Sequence, residues 1–475
     1  MKDIKTKIID ETNLVPLQGL GVNSPLGDGG NFSSPSGARG TSETRGYVST
    51  RNSCKLCAPL GASLVFKGIE GCVPLIHGSQ GCATYIRRYM ISHYKEPVDI
   101  ASSNFSEETT VYGGSRNFIT GIENIIKQYK PSVIGIASTC LSETIGEDIP
   151  GHIRHYKESH EADGSFIPTF IHTSTPSYCG SHAEGFHNTV LAAVKAIAKY
   201  NETGEALNIF PGMVSPADLR YLKELLEDFG IKYVLFPDFS ETLDNEYTAE
   251  YQLIPTGGTT MADIEHIGDS KSTIEFGSAF NKTVNRTTNS GSMQTAGEWL
   301  QSTYYIKNNQ MPLPIGIEAS DKFIKILEEI SGTKLPEKHR KERGRLVDAY
   351  IDAHKYVFGK KALIYGEEDF VTAMAAWLKE IGVEAFWIKG ADFETLREKA
   401  DEFKPDFLLG NSKGYYIARE LKIPLVRVGF PIHDRFGANR MHHIGYRGTQ
   451  ELFDRVVNAL IAYKQENSPI GYKYL

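Results

Sequence analysis

The sequence predicts an α/β protein of three Rossmann-like, doubly wound domains with parallel sheets, preceded by a flexible N-terminal arm. Two observations carry that expectation. Short apolar runs such as PSVIGIAS, ALNIF, KALIYG and DFLLGNS each end in turn residues and give way to a helical period, the alternation that builds parallel sheets. A length of 475 residues holds about three domains at the usual size of roughly 150 residues each.

Residues 1–50 are rich in Gly, Ser, Thr and Asn, as in LGDGGNFSSPSGARGTSETRG, and lack a sustained apolar period. Such a segment buries no core of its own and is expected to be a free tail or an arm that wraps a partner. The first α/β domain is placed at 51–203. It contains a helix over GGSRNFITGIENIIKQY, with Phe118, Ile122, Ile125 and Ile126 at helical spacing. A buried strand follows through Val133, Ile134, Ile136 and Ala137, and then the amphipathic HAEGFHNTVLAAVKAIAKY. The second domain spans 204–358. Ser215 is a candidate N-cap and Pro216 a first helical residue, and Leu219, Leu222, Leu225, Leu226 and Phe229 line one face until Gly230 ends the helix. The Asn/Thr-rich link NKTVNRTTNSGS joins this unit to the long helical pattern LPEKHRKERGRLVDAYIDAHKYVF, whose charges read as a solvated face. The third domain, 359–475, repeats the strand and helix alternation through EDFVTAMAAWLKEIG, DFETLREKADEF and IPLVRVGFP.

A net charge of −7 without a Lys/Arg block argues against nucleic acid as a partner. No run of about 18 apolar residues is present and no apolar segment follows the basic start, so neither a membrane span nor a secretory leader is expected, and a soluble, cytoplasmic protein is. There is no G-x-G-x-x-G opening a helix and no phosphate-binding loop ending in GK[ST]. If ATP drives the system, another protein binds it.

The chemistry gathers in RNSCKLCAPLGASLVFKGIEGCVPLIHGSQGCATYIRRYMISH, which holds Cys54, Cys57, Cys72 and Cys82. Cys82 follows the turn Gly78-Ser79-Gln80-Gly81 and precedes a helix that starts with ATYIRRYMISH. A thiolate at a helix start is stabilised by the dipole and by open backbone N–H groups, which makes it a good soft-metal ligand. Cys140 leaves the sheet at the carboxyl end of its strand, where open α/β sheets build their sites, and TPSYCGSH brings Ser177, Cys179 and His182 out in the same way. Reduced thiols are expected in a long chain without a leader. Cys54 and Cys57 alone would be half of a zinc site or a redox dithiol, with no second CxxC or HxxxH pair to complete it, and iron–sulfur ligation ranks ahead.

The residues CAPLGA, HGSQGC, KEPVDIASS, TVYGG, STCLSETIGED, TPSYCGSH and VRVGFPIHDR, in that order, resemble the β-type subunits of nitrogenase component 1. The resemblance runs from about Cys54 to the C-terminus. It implies an iron–sulfur cluster, [4Fe-4S] or an [8Fe-7S] P-cluster, ligated here by Cys57, Cys82 and Cys140 and completed by a homologous α-type subunit of a heterotetramer. It also implies an ATP-dependent iron protein as reductase, and it matches Ser177 to a serine that ligates oxidised P-cluster iron in catalytic β chains. For Ser177 a hydroxyl capping the next helix is an equal reading.

Two functions fit the resemblance: a scaffold on which the iron–molybdenum cofactor matures, and the electron relay of a nitrogenase or nitrogenase-like reductase. GCATYIRRYMISHY, EPVDIASS and CLSETIGED favour the scaffold, while the three cysteines with Ser177 keep the relay open. In neither does this chain show a complete active site of its own. Cys54 and Cys179 are expected as spare or outer thiols, and Cys72 as a small core residue. His77 and His93 are expected as hydrogen-bonded side chains, and Arg87 and Arg88 as surface pairs or partner contacts.

Overall fold

Apolar runs buried on both faces become parallel strands, and in this chain they do so in three sheets. The computed structural model describes residues 52–161, 164, 166–277, 294–388 and 390–471; the arm of residues 1–50 and the link NKTVNRTTNSGS lie outside the described residues. The first sheet contains β1 (Cys72–His77), β2 (Ala101–Ser102), β3 (Val133–Ser138) and β4 (Thr169–Thr173). The second contains β5 (Leu207–Phe210), β6 (Tyr233–Leu235), β7 (Ser272–Phe276) and β8 (Lys307–Met311). The third contains β9 (Lys361–Ile364), β10 (Glu384–Phe386), β11 (Phe407–Gly410) and β12 (Leu425–Arg427). Their orders are β2-β1-β3-β4, β6-β5-β7-β8 and β10-β9-β11-β12, with every pairing parallel. The same open topology thus occurs three times, and each sheet has a switch point between its first and third strands, where the crossovers diverge.

In the first sheet every residue of β1 and β3 is buried. Their register runs from Cys72 opposite Val133 to His77 opposite Ser138, so both strands end level. The chain leaves them side by side, and the Thr139 hydroxyl donates to the His77 carbonyl at 3.1 Å. A side chain on Gly78 would collide there, its Cβ 2.3 Å from Thr139 Oγ1.

The helices follow local signals. Ser115–Tyr129 buries Phe118, Ile122 and Ile125. Pro216–Asp228 opens on Pro216, with the Ser215 hydroxyl accepting from the Asp218 N–H, and Gly230 at φ +67 turns the chain away. Glu337–Val357 keeps most of its charged face in solvent, as the sequence suggests.

The helix Ala58–Lys67 differs from these because all ten of its residues are buried. It crosses the helix His182–Ile197 backbone to backbone: a Cβ on Gly61 would stand 1.8 Å from the His182 carbonyl oxygen, and one on Gly185 2.0 Å from that of Ala58. From this crossing one apolar cluster runs through Phe66, Phe236 and Phe276 to Trp377 and Phe453, so the three sheets share a core. Among the described residues no helix is long and apolar enough to cross a membrane.

Replacing Gly61 by valine forces these helices apart. We expect a loss of about 1–3 kcal/mol of unfolding free energy, read from the urea midpoint, as for other overpacked cores.

Candidate metal centre

The carboxyl end of the first sheet collects the thiols. Cys57 is the extended N-cap of the helix Ala58–Lys67 and forms an isolated bridge with Ser181, which lies beyond β4. Cys82 lies in the first turn of the helix Gln80–Tyr94, which follows β1, and Cys140 opens the short helix Cys140–Thr144 after β3. Cys82 and Cys140 are exposed and Cys57 is half-buried. The three are near enough for each to feel its neighbours' charge: Cys57 responds to both of the others and Cys82 to Cys140.

Burial, and then the neighbouring thiols, push Cys57 up to about 11, against the hydrogen bond from the Leu60 backbone. Burial also raises Cys82, opposed by Ser79. The expected lowering of Cys82 at a helix start is therefore corrected. The helix begins at Gln80, so Cys82 is inside the first turn, and its own N–H is already given to the Ser79 carbonyl at 3.1 Å. Cys57 and Cys82, held protonated by burial and the neighbouring thiols, are deprotonated when a cation replaces the proton, and three thiols from separate elements are a donor set that fits a soft, iron-bearing group. Among the described residues no three His, Cys, Asp or Glu side chains surround a single-ion position. A cluster takes its thiolates one to an iron, at separate points.

Ser177 is buried beside Cys140, and its backbone N–H donates to Cys140 Sγ at 3.2 Å, a bond that stabilises negative charge on that sulfur. The capping role considered for Ser177 belongs to Ser181, whose hydroxyl accepts from the Ala183 N–H in a capping box with Glu184. Cys179 also feels the charge of Cys140 and of Glu143.

Cys54 is turned the other way. It is fully buried, its thiol donates to the Phe430 carbonyl at 3.3 Å, and it accepts from Asn411 Nδ2 at 3.5 Å. Burial raises it far above the ordinary thiol range. A thiol so engaged does not pair with Cys57 around zinc, and all six cysteines are unbridged. Cys72 is a buried core residue at the start of β1, pushed up to about 12 by burial.

His93 is buried, and its Nδ1 accepts from the Ile432 N–H at 2.9 Å. Arg87 makes a surface pair with Asp99 at 3.3 Å and donates to the Val98 carbonyl, and Arg88 is exposed. His77 sits at 4.8 Å and 5.0 Å from the rings of Phe105 and Phe118, and its Nε2 meets Glu147 Oε2 at 3.1 Å. Glu147 was not singled out in the sequence, and it is a hub: it also meets His152 at 3.0 Å and accepts the Gly114 N–H at 2.6 Å. The carboxylate ties the strand end before Cys82, the segment after Cys140 and the loop behind the exposed Val111 and Tyr112 into one unit. Its local partner is His152, five residues on, while the ties to His77 and Gly114 span 70 and 33 residues, which no short pattern marks.

The fold and this edge have clear counterparts among known proteins. A family model described as "Nitrogenase component 1 type Oxidoreductase" matches residues 57–389 and 384–461, and the chain belongs to that family. It is 35% identical over 440 residues to the nitrogenase molybdenum-iron protein beta chain of Clostridium pasteurianum, covering 86% of this chain and 93% of the relative. It is 32% identical to the beta chain of the same name from Methanothermobacter thermautotrophicus, covering 85% and 93%. A solved structure described as "Nitrogenase Cp1 at pH 6.5" superposes with a TM-score of 0.81 at 32% identity, covering 94% of this chain and 98% of that one. Within its family the chain is a β-type subunit.

Three buried histidines set an acid limit on this architecture. Burial lowers His77 to about 4 and His93 and His182 to about 3, from 6.5. Below about pH 6.5 the unfolded chain takes up protons that the folded chain refuses, so stability falls with acidification until the folded values are reached. Each histidine contributes up to about 1.4 kcal/mol per pH unit. Urea midpoints measured from pH 7 to 5 should decline, and His182→Phe should make that decline shallower.

Proposed function

We propose that this chain is the β-type half of a nitrogenase-component-1-like heterotetramer and holds an iron–sulfur cluster against a homologous α-type subunit through Cys57, Cys82 and Cys140. The observation that carries the proposal is the convergence of these thiols at one sheet edge. Two of them are open to solvent, and the exposed rings of Tyr85 and Tyr178 lie nearby: Tyr85 next to Cys57, and Tyr178 next to Cys140. Three thiolates are one fewer than a four-iron cluster usually takes, which supports a site completed by a neighbour. In a cytoplasmic setting these thiols stay reduced and available.

When bound, the cluster supplies one-electron redox chemistry. This chain's part is to present the thiolates from fixed elements, to place the Ser177 N–H on Cys140 Sγ, and to hold the strand ends through Glu147. The ATP-dependent iron protein would supply electrons from outside, in keeping with the lack of a nucleotide loop in the sequence.

Of the two roles open to such a chain, we favour the electron relay, with an [8Fe-7S] P-cluster and Ser177 as an added ligand. Supporting it are the burial of Ser177 directly beside Cys140 and the beta chains of molybdenum-iron proteins among the relatives. The scaffold role in cofactor maturation, with a [4Fe-4S] cluster, is the second reading and rests on the motifs GCATYIRRYMISHY and CLSETIGED.

Anaerobic purification of the complex with its α-type partner should give about eight irons per αβ pair for the relay and about four for the scaffold. Cys82→Ala should remove most of that iron and weaken assembly with the α-type chain, whereas unchanged iron in an intact complex would refute the ligand assignment. In the relay, Ser177→Ala should keep the iron but alter the oxidised cluster's electron paramagnetic resonance signal.

A further inference from the structure

Each of the three candidate thiols takes a hydrogen bond, and one of them takes it from far along the chain. The donors beside Cys57 and Cys82 come from their own turns, the Leu60 backbone and Ser79. Cys140 is different, because the N–H on its Sγ belongs to Ser177, 37 residues on, at 3.2 Å. The short helix Cys140–Thr144 does not bring that donor with it, so another contact has to hold it in place.

That contact lies at the ends of β3 and β4. Their ladder closes with Ala137 opposite Thr173, and beyond it side chains take over the pairing. The Thr175 N–H donates to the Ser138 hydroxyl oxygen at 2.8 Å, and the Thr175 hydroxyl donates to the Ser138 carbonyl at 2.7 Å. A carbonyl only accepts, so the direction of the second bond is fixed. Both residues are buried, Ser138 completely. Two directional bonds between the same two residues leave Thr175 little freedom to slide or turn.

The same two segments are tied again on either side of this pair. The Ser174 hydroxyl donates to Glu143 Oε1 at 2.6 Å, and the Cys179 N–H donates to the Pro176 carbonyl at 3.1 Å, which closes a turn around Ser177 and Tyr178. Pro176, with its φ fixed by the ring, is the one residue between Thr175 and Ser177. On the facing segment only Thr139 separates Ser138 from Cys140. The donor and the sulfur are thus each one residue removed from the two ends of a double anchor.

We propose that Thr175, with Ser138, is a positioning residue of the metal centre: the pair holds the Ser177 N–H on Cys140 Sγ and so sets how readily the bound cluster accepts an electron. The proposal rests on the ligand role of Cys140. Hydrogen bonds to the ligand sulfurs are among the influences that fix a cluster's reduction potential. One electron from an outside reductant adds negative charge that spreads onto the sulfurs, and an N–H aimed at one of them stabilises the reduced form more than the oxidised one. Weakening that bond makes the cluster harder to reduce. Thr175 acts through Ser177.

The test is a redox titration, followed by electron paramagnetic resonance, of the complex purified anaerobically with its α-type partner. Thr175→Val removes the hydroxyl and keeps the shape. It should retain the iron and make reduction about tenfold less favourable, the scale of a weakened hydrogen bond to a charged group, which is a fall of about 59 mV for a one-electron couple. Thr175→Ser keeps the hydroxyl and should restore the original potential. Ser138→Ala removes the acceptor of the Thr175 N–H and should lower the potential as well, and it carries the test if Thr175→Val does not assemble. Hydrogen exchange of residues 174–179 should rise in the valine variant with or without iron. Full iron with an unchanged potential in Thr175→Val would overturn the proposal, and so would an equal fall in Thr175→Ser or unaltered exchange. Failure of the underlying ligand assignment is seen separately, as iron content unchanged by Cys140→Ala.

Discussion

The close crossing of the helices Ala58–Lys67 and His182–Ile197 is the constraint on which the candidate metal centre depends. Two glycines, Gly61 and Gly185, bring backbone against backbone, and nothing larger fits. A helix buried on every side has no freedom to rotate or slide without breaking its packing. Cys57, its N-cap, is therefore placed by the core and not by a loop. The other two thiols are placed differently: the level ends of β1 and β3 fix where the chain emerges, and Cys82 and Cys140 follow within the next turn of helix. Three sulfurs from three separate elements thus meet at one edge with little dependence on flexible segments.

Much of this was legible because it is local. Strand ends, Pro216 at a helix start, the burial of Phe118, Ile122 and Ile125, and the exit of Cys140 from its strand each follow from patterns a few residues long. The resemblance carried by linked motifs identified the family from residues that lie far apart in the chain. What escaped was long-range or a matter of one turn. Cys54 stands three residues from Cys57, yet its thiol is committed to Phe430 and Asn411, more than 350 positions away. Glu147 acts through His77 and Gly114, neither of which is adjacent to it. The helix carrying Cys82 starts at Gln80, because Ser79 takes the extended backbone of an N-cap, and this small shift removes the open N–H that a helix-start thiolate needs.

Histidine is used here mostly as a neutral, buried connector. His77 and His93 each satisfy one nitrogen on a carboxylate or a backbone amide, and burial keeps them from taking a second proton. In a low-dielectric interior a neutral imidazole can both donate and accept without the cost of a buried charge. His443 is held in the same way, with Nδ1 against Asp218, and like His77 it keeps its other ring nitrogen buried without a protein partner.

Three copies of one topology put the carboxyl ends of their strands in two kinds of place in this chain. Open parallel sheets place ligands at the carboxyl ends of their strands. In the first sheet those ends lead outward to thiols at a surface edge. In the second and third they lead inward: Met213 and Val214 follow β5, Leu313 follows β8, Gly366 and Glu367 follow β9, and Val428 and Phe430 follow β12, all lining a shared cavity. The helix Gln80–Tyr94 joins the two, with Cys82 in its first turn and His93 in its last.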